Sequence, residues 1–189
     1  MAACRSWVNA AGTMHRLFVA IRPPLEVRER LLGMMGGVQN ARWQEDEQLH
    51  LTLRFVGEVN RHQAEDLAAA LGSVRHEHFE IALSGVGSFI RRGKGALWVG
   101  VTPQADLKAL HKKIDQACLR AGVAPDTRAF HPHITLARVS GNSGAVDASL
   151  GRWAGLTSPP FPVESITLYE SRLGSAGASY AMVERYLLA

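Results

Sequence analysis

The 189-residue chain is 47% hydrophobic and carries 21 Lys and Arg against 17 Asp and Glu, a formal charge of +4. That length and composition suit one folded domain, or two small lobes sharing a core, and exclude a largely disordered chain. No apolar run approaches the roughly 20 residues of a membrane helix. The mild basic surplus tolerates a polyanionic partner without demanding one.

Residues 1–13 lack the apolar stretch of a signal peptide and read as a short extension, with the domain beginning at Met14. Arg16–Arg22 reads as a strand, stopped by Pro23 and Pro24, which suit the first turn of a helix. Leu25, Leu31, Leu32 and Met35 are the expected buried stripe of that helix, which ends near Gly36 and Gly37. Leu49–Val56 alternates and reads as a second strand. Asn60 is placed to cap a helix with Ala64, Leu67, Ala68 and Leu71 on one face and Gly72 as its stop. Phe79–Leu83 and Ala96–Val101 are strand-like, separated by the basic, glycine-containing stretch Arg91–Gly95. Asp106–Ala121 is the clearest helix, with Leu107, Leu110, Ile114 and Cys118 sharing a face. His133–Val139 alternates as a strand, and Gly141–Ala148 reads as a polar loop. Ile166–Tyr169 and Tyr180–Tyr186 form a last antiparallel pair across the turn-rich Gly174–Ala178. Strands outnumber helices in a mixed order, which favours an α+β fold.

The two cysteines, Cys4 and Cys118, offer neither a disulfide framework nor a thiolate metal site, which fits a reducing cytoplasm. A monomer is the expectation.

Two segments repeat each other. His50-Leu51-Thr52-Leu53 and His133-Ile134-Thr135-Leu136 both read His, aliphatic, Thr, Leu, and each continues to a valine at the same offset, Val56 and Val139. With these residue counts a His-x-Thr arises by accident about 0.3 times per chain, and two copies of the longer pattern about once in ten thousand chains. On a strand, His50 and Thr52 share one face while Leu51, Leu53 and Phe55 share the other, and His133 with Thr135 repeats the arrangement.

Phosphodiester hydrolysis asks for this set of groups. One neutral imidazole activates water and one imidazolium protonates the departing oxygen. Threonine hydroxyls donate to nonbridging phosphate oxygens, so the added charge can be stabilised without a metal. No metal and no cofactor is expected. His131 and His133 would share a strand face as a metal pair, but no obvious carboxylate or thiolate set completes a site. His76 and His78 read as surface residues in an acidic loop, and His15, His62 and His111 have no partner motif.

With these motifs the chain resembles the two-histidine phosphoesterases, and within them the RNA 2′,3′-cyclic phosphodiesterases, also called the 2′-5′ RNA ligase family. The resemblance runs from about Met14 to the C-terminus. It is carried by Arg16–Ile21 (RLFVAI), Trp43, Gln48–Gly57 (QLHLTLRFVG), Ala96–Val101 (ALWVGV), Phe130–Val139 (FHPHITLARV) and Leu168–Tyr180. It implies one bilobal α+β domain over residues 14–189, with two antiparallel sheets around a central cleft and helices outside. It also implies that His50 donates a proton to the leaving 3′ oxygen, that His133 activates water, that Thr52 and Thr135 hold the phosphate, and that the product is a 2′-phosphate. His131, before Pro132, departs from the common pattern. The substrate would be an RNA end or a small cyclic-phosphate nucleotide, and no membrane partner is expected. Hydrolysis of 2′-5′ linked oligonucleotides, reverse 2′-5′ ligation and non-catalytic RNA binding stay open. No P-loop is present, so ligation would have to draw on the cyclic phosphate itself.

Further candidates are weaker by geometry. Phe130 could stack on a base or ribose or serve as a core aromatic. Arg138 matches the arginine of the family's second motif, yet alternation puts it opposite His133, so phosphate contact needs a twist or bulge. Arg54 falls on the His50 face. Arg91, Arg92 and Lys94 read as a soluble hairpin tip that could steer RNA. Trp43 and Trp98 read as core residues.

Overall fold

A computed structural model describes residues 14–140, 144–174 and 177–189. The 1–13 extension, the start of the expected Gly141–Ala148 loop and part of the Gly174–Ala178 turn lie outside the described residues. Strand β1 (His15–Ile21) buries Leu17, Val19 and Ile21 and ends at the two prolines. Helix α1 (Leu25–Met34) follows, but its buried residues are Val27 and Leu31; Leu25 is exposed. Gly36 and Gly37 end the segment with positive φ. A three-residue strand too short for a periodic signal, β2 (Ala41–Trp43), precedes a 3-10 turn at Asp46–Gln48.

Strand β3 (Leu51–Val59) leads into α2 (Arg61–Gly72), where Asn60 accepts a hydrogen bond from the Gln63 N–H at 3.0 Å and Ala64, Leu67, Ala68 and Leu71 are buried as expected. The β4 (Phe79–Arg91) and β5 (Lys94–Thr102) strands are much longer than their apolar runs, and only Arg92 and Gly93, both with positive φ, form the turn. Helix α3 (Ala105–Arg120) buries its expected face.

After β6 (His133–Ser140), residues 144–148 belong to a helix, α4 (Gly144–Trp153), not to a loop. Val146 is buried while Leu150 and Trp153 are half-buried, and Trp153 meets Trp43 edge-on at 6.1 Å. The spacing of those three is helical, and the glycines and small residues between them hid it. A short β7 (Phe161–Val163) precedes β8 (Ser165–Gly174) and β9 (Gly177–Leu187). No helix among the described residues is long and apolar enough to cross a membrane.

All pairings are antiparallel, in the order β7-β4-β5-β6-β3-β1-β8-β9, with β2 also on β6. The α+β expectation holds. One half of the sheet is β3, β1, β8 and β9; the other is β7, β4, β5, β6 and β2. The halves join through a single residue pair, Leu51 with Ile134. Both are buried in the core, on the face that α2 and α3 cover. The opposite face carries the two motifs.

Candidate active site

The Leu51–Ile134 pair fixes the site. Carried one residue either way, that antiparallel register sets His50 opposite Thr135 and Thr52 opposite His133. The motifs interdigitate, each histidine facing the other's threonine. His50 and His133 are then diagonal neighbours, about 7–8 Å apart in an ideal ladder. That square puts a histidine and a threonine on either side of one space on the open sheet face.

Both imidazoles are anchored alike. His133 Nδ1–H donates to the His131 carbonyl at 2.6 Å, and a ring N–H of His50 donates to the Gln48 carbonyl, two residues back in each case. A carbonyl only accepts, so Nδ1 of His133 carries the proton and Nε2 is left as its basic nitrogen. Gln48 is itself tied down, its Nε2 donating to the Ala178 carbonyl of β9 at 2.7 Å.

Aromatic rings surround each histidine. Phe18, Tyr180 and Tyr169 lie 4.9, 5.1 and 6.4 Å from His50, and Phe89 and Trp98 lie 5.1 and 6.0 Å from His133, between ring centres. Burial among them pushes His50 down to about 4 and pushes His133 below its usual value. The Arg138 charge lowers both further. In the free protein both imidazoles are neutral at pH 7, and an anion between them works in the opposite direction.

Simple alternation fails beyond each threonine, for the same reason twice. Between Ala20↔Thr52 and Val19↔Arg54, Leu53 is an extra residue; between Trp98↔Thr135 and Leu97↔Ala137, Leu136 is. The bulged residue is the leucine of each motif, and each bulge reverses the faces that follow. Arg54 therefore leaves the His50 face. It is buried, with Nε donating to Asp115 at 2.8 Å and a terminal nitrogen to the Ala124 carbonyl at 2.6 Å. Phe55 takes the place on the His50 face expected of Arg54, exposed and with its ring 6.2 Å from that of Phe18. On the other strand the bulge that Arg138 needed is present, and Arg138 shares the His133 face. Arg138→Ala is expected to lower kcat/KM by about 100-fold. Removing that cation also raises both histidines, so the pH profile should move to the alkaline side. An unchanged rate and profile would place Arg138 outside the site.

Phe130 goes elsewhere. Its ring stacks on His111 of α3 at 4.2 Å, and His111 lies near Asp115 and Arg54 on the helix side of the sheet. Phe130 is half-buried and packs against the core, so it is not carried into the site as a platform for substrate.

A model of the 2′-5′ RNA ligase superfamily matches residues 26–174. The chain belongs to that superfamily. Two curated relatives carry the name RNA 2′,3′-cyclic phosphodiesterase. The Aeropyrum pernix protein is 36% identical over 140 residues, covering 72% of this chain and 80% of its own length. The Escherichia coli protein is 29% identical over 177 residues, covering 92% and 96%. Among solved structures, E. coli LigT complexed with 3′-AMP superposes with a TM-score of 0.76 at 28% identity, over 94% of this chain and 99% of that one. A Thermus thermophilus protein, TT0787, gives 0.77 at 25%, over 92% and 97%.

In this superfamily member the cleft includes residues that sequence reasoning missed. Trp98, read as core, lies beside His133, with its indole N–H buried and unpartnered among the described residues. The register of β5 with β6 accounts for its place: Trp98 pairs with Thr135. Phe18, Tyr169 and Tyr180 had no local signal, because they reach His50 only through the β3-β1-β8-β9 order. His131 contributes its carbonyl, and its exposed ring lies 6.4 Å from Phe89. Among the described residues no group of three or more His, Cys, Asp or Glu could hold a metal ion. Contrary to the surface reading, His76 is buried and meets Phe79 at 5.3 Å.

Proposed function

We propose that this protein hydrolyses RNA-terminal 2′,3′-cyclic phosphates to 2′-phosphates by acid–base catalysis with His50 and His133. The interdigitated histidine–threonine square on the open sheet face carries the reading, and the names of the relatives support it. Water, losing a proton to Nε2 of His133, attacks phosphorus. The P–O3′ bond breaks, and the departing oxygen takes a proton from His50. Thr52 and Thr135 donate to the nonbridging oxygens, and Arg138 supplies a countercharge. His50 holds its proton poorly in the free protein, so the charge of the bound phosphate is what makes it an acid. One chain supplies the whole square, which supports action as a monomer. Cys118 is a free, buried thiol, which is compatible with the cytoplasmic location we propose.

The superfamily's name raises a second reaction, 2′-5′ joining at a cyclic phosphate, in which a 5′-hydroxyl takes the place of water, loses its proton to His133 and attacks phosphorus, while the P–O3′ bond breaks and His50 again protonates the departing oxygen. The deciding assay is turnover of a short RNA ending in a 2′,3′-cyclic phosphate, with EDTA present and the product phosphate located by mass and phosphatase sensitivity. A 2′-phosphate product is expected. A 3′-phosphate would reverse the leaving group, and no turnover would remove the reading.

A further inference from the structure

On the His50 side of the site, where the β7–β8 junction meets β1, a cavity of about 420 Å³ opens against the β1–β8–β9 half of the sheet. It touches the site through Tyr169, whose ring is 6.4 Å from His50. Thr167 in its lining pairs with Ala20, which pairs with Thr52, so the three form a row across β8, β1 and β3. At about 4.8 Å per strand, Thr167 stands about 10 Å from Thr52. A nucleoside attached to a phosphate at Thr52 can span that distance.

The lining is built for a ligand with a hydrogen-bonding edge. Thr167 and Tyr169 are only 4% and 7% exposed, yet neither hydroxyl has a hydrogen-bond partner among the described residues. Neither is sealed from solvent either, since the one such orphan atom among the described residues is the Trp98 N–H. Buried hydroxyls are normally satisfied, and these two are left to whatever fills the cavity. Pro23, Pro24 and Met182, the last 65% exposed, supply apolar walls. The charges argue against a second phosphate. Glu164 lines the cavity, Arg22 is taken by Asp46 at 2.7 Å, and Arg185 Nε donates to Ser165 at 2.8 Å. A neutral planar heterocycle suits apolar walls, two hydroxyls and a carboxylate.

We propose that this cavity holds the base of the nucleotide that bears the cyclic phosphate, with Thr167 and Tyr169 hydrogen-bonding its edge and Met182 covering its face. The proposal rests on the cyclic-phosphodiesterase reading and makes the enzyme selective for RNA ends over bare sugar phosphates.

The test compares kcat/KM on two RNAs ending in a 2′,3′-cyclic phosphate, one with adenine on the last ribose and one abasic there. The base-bearing end is expected to react about 10–100 times better, the range for a base on an apolar and aromatic platform. Thr167→Val and Met182→Ala should each cut that ratio severalfold. Met182→Ala changes an exposed side chain, so the comparison survives if Thr167→Val fails to fold. A wild-type ratio near one overturns the proposal, as does a high ratio that neither variant changes. If neither RNA reacts, the hydrolytic reading has failed and the cavity is judged by binding alone. The Met182 methyl resonance, assigned with Met182→Leu, should then shift saturably with adenosine 2′-monophosphate and not with inorganic phosphate. No shift, or the same shift with both, overturns it.

Discussion

His50→Ala and His133→Ala are each expected to lose about 10²–10⁴-fold in kcat on a cyclic-phosphate RNA end. The double variant should lose little more than the poorer single one, because an acid and a base in one step act as a unit. The pH profile separates this from a structural loss. The base must be neutral, so activity rises with pH through its pKa; the acid must be protonated, so activity falls through its own. Burial places both histidines of the free cleft below the ordinary value of about 6.5. The kcat/KM profile, which reports the free enzyme, should therefore be a bell centred on the acidic side of that value. The kcat profile, which reports the complex, should sit at higher pH because the bound phosphodiester favours imidazolium. Turnover that survives either substitution removes the site assignment, and a kcat/KM optimum well above neutrality removes the account of how burial tunes the pair.

Arg54→Ala should produce the largest loss of stability with the least effect on chemistry. The guanidinium is 3% exposed and bridges Asp115 at 2.8 Å and Asp126 at 3.5 Å, joining β3 to α3 and to the segment before β6. Breaking a buried ion pair costs about 3–5 kcal/mol when one charge is stranded. Here the lower end applies, because Asp115 and Asp126 are 27% and 18% exposed and can turn toward water. A loss of about 3 kcal/mol in urea unfolding is expected, with kcat per folded molecule retained, since Arg54 and His50 occupy opposite faces. A stable variant with impaired kcat would return Arg54 to the cleft.

Arg54 and Arg138 also mark where the sequence stopped being readable. The order of most elements, the buried faces of α2 and α3 and the paired His-x-Thr motifs were all legible, because period and repetition are local properties. Face assignments held up to Thr52 and Thr135 and then reversed. A bulge depends on how a strand meets its neighbour, and nothing in LTLRF or ITLAR announces it. The aromatic surroundings of His50 were hidden for a related reason. Phe18, Tyr169 and Tyr180 come from β1, β8 and β9, brought together by strand order alone. Residues 144–148 were misread because their small residues resemble turn composition, while the three apolar side chains that define α4 lie too far apart for a short window to catch.

The join between the sheet halves has a consequence for how such a cleft can vary. The strands that bear the histidines touch through one pair, and that pair is aliphatic, buried and on the far side of the sheet from any substrate. The width of the cleft is thus written in the core. A change of volume at Leu51 or Ile134 acts like turning a set screw, moving the two histidines relative to each other while every residue on the open face stays the same.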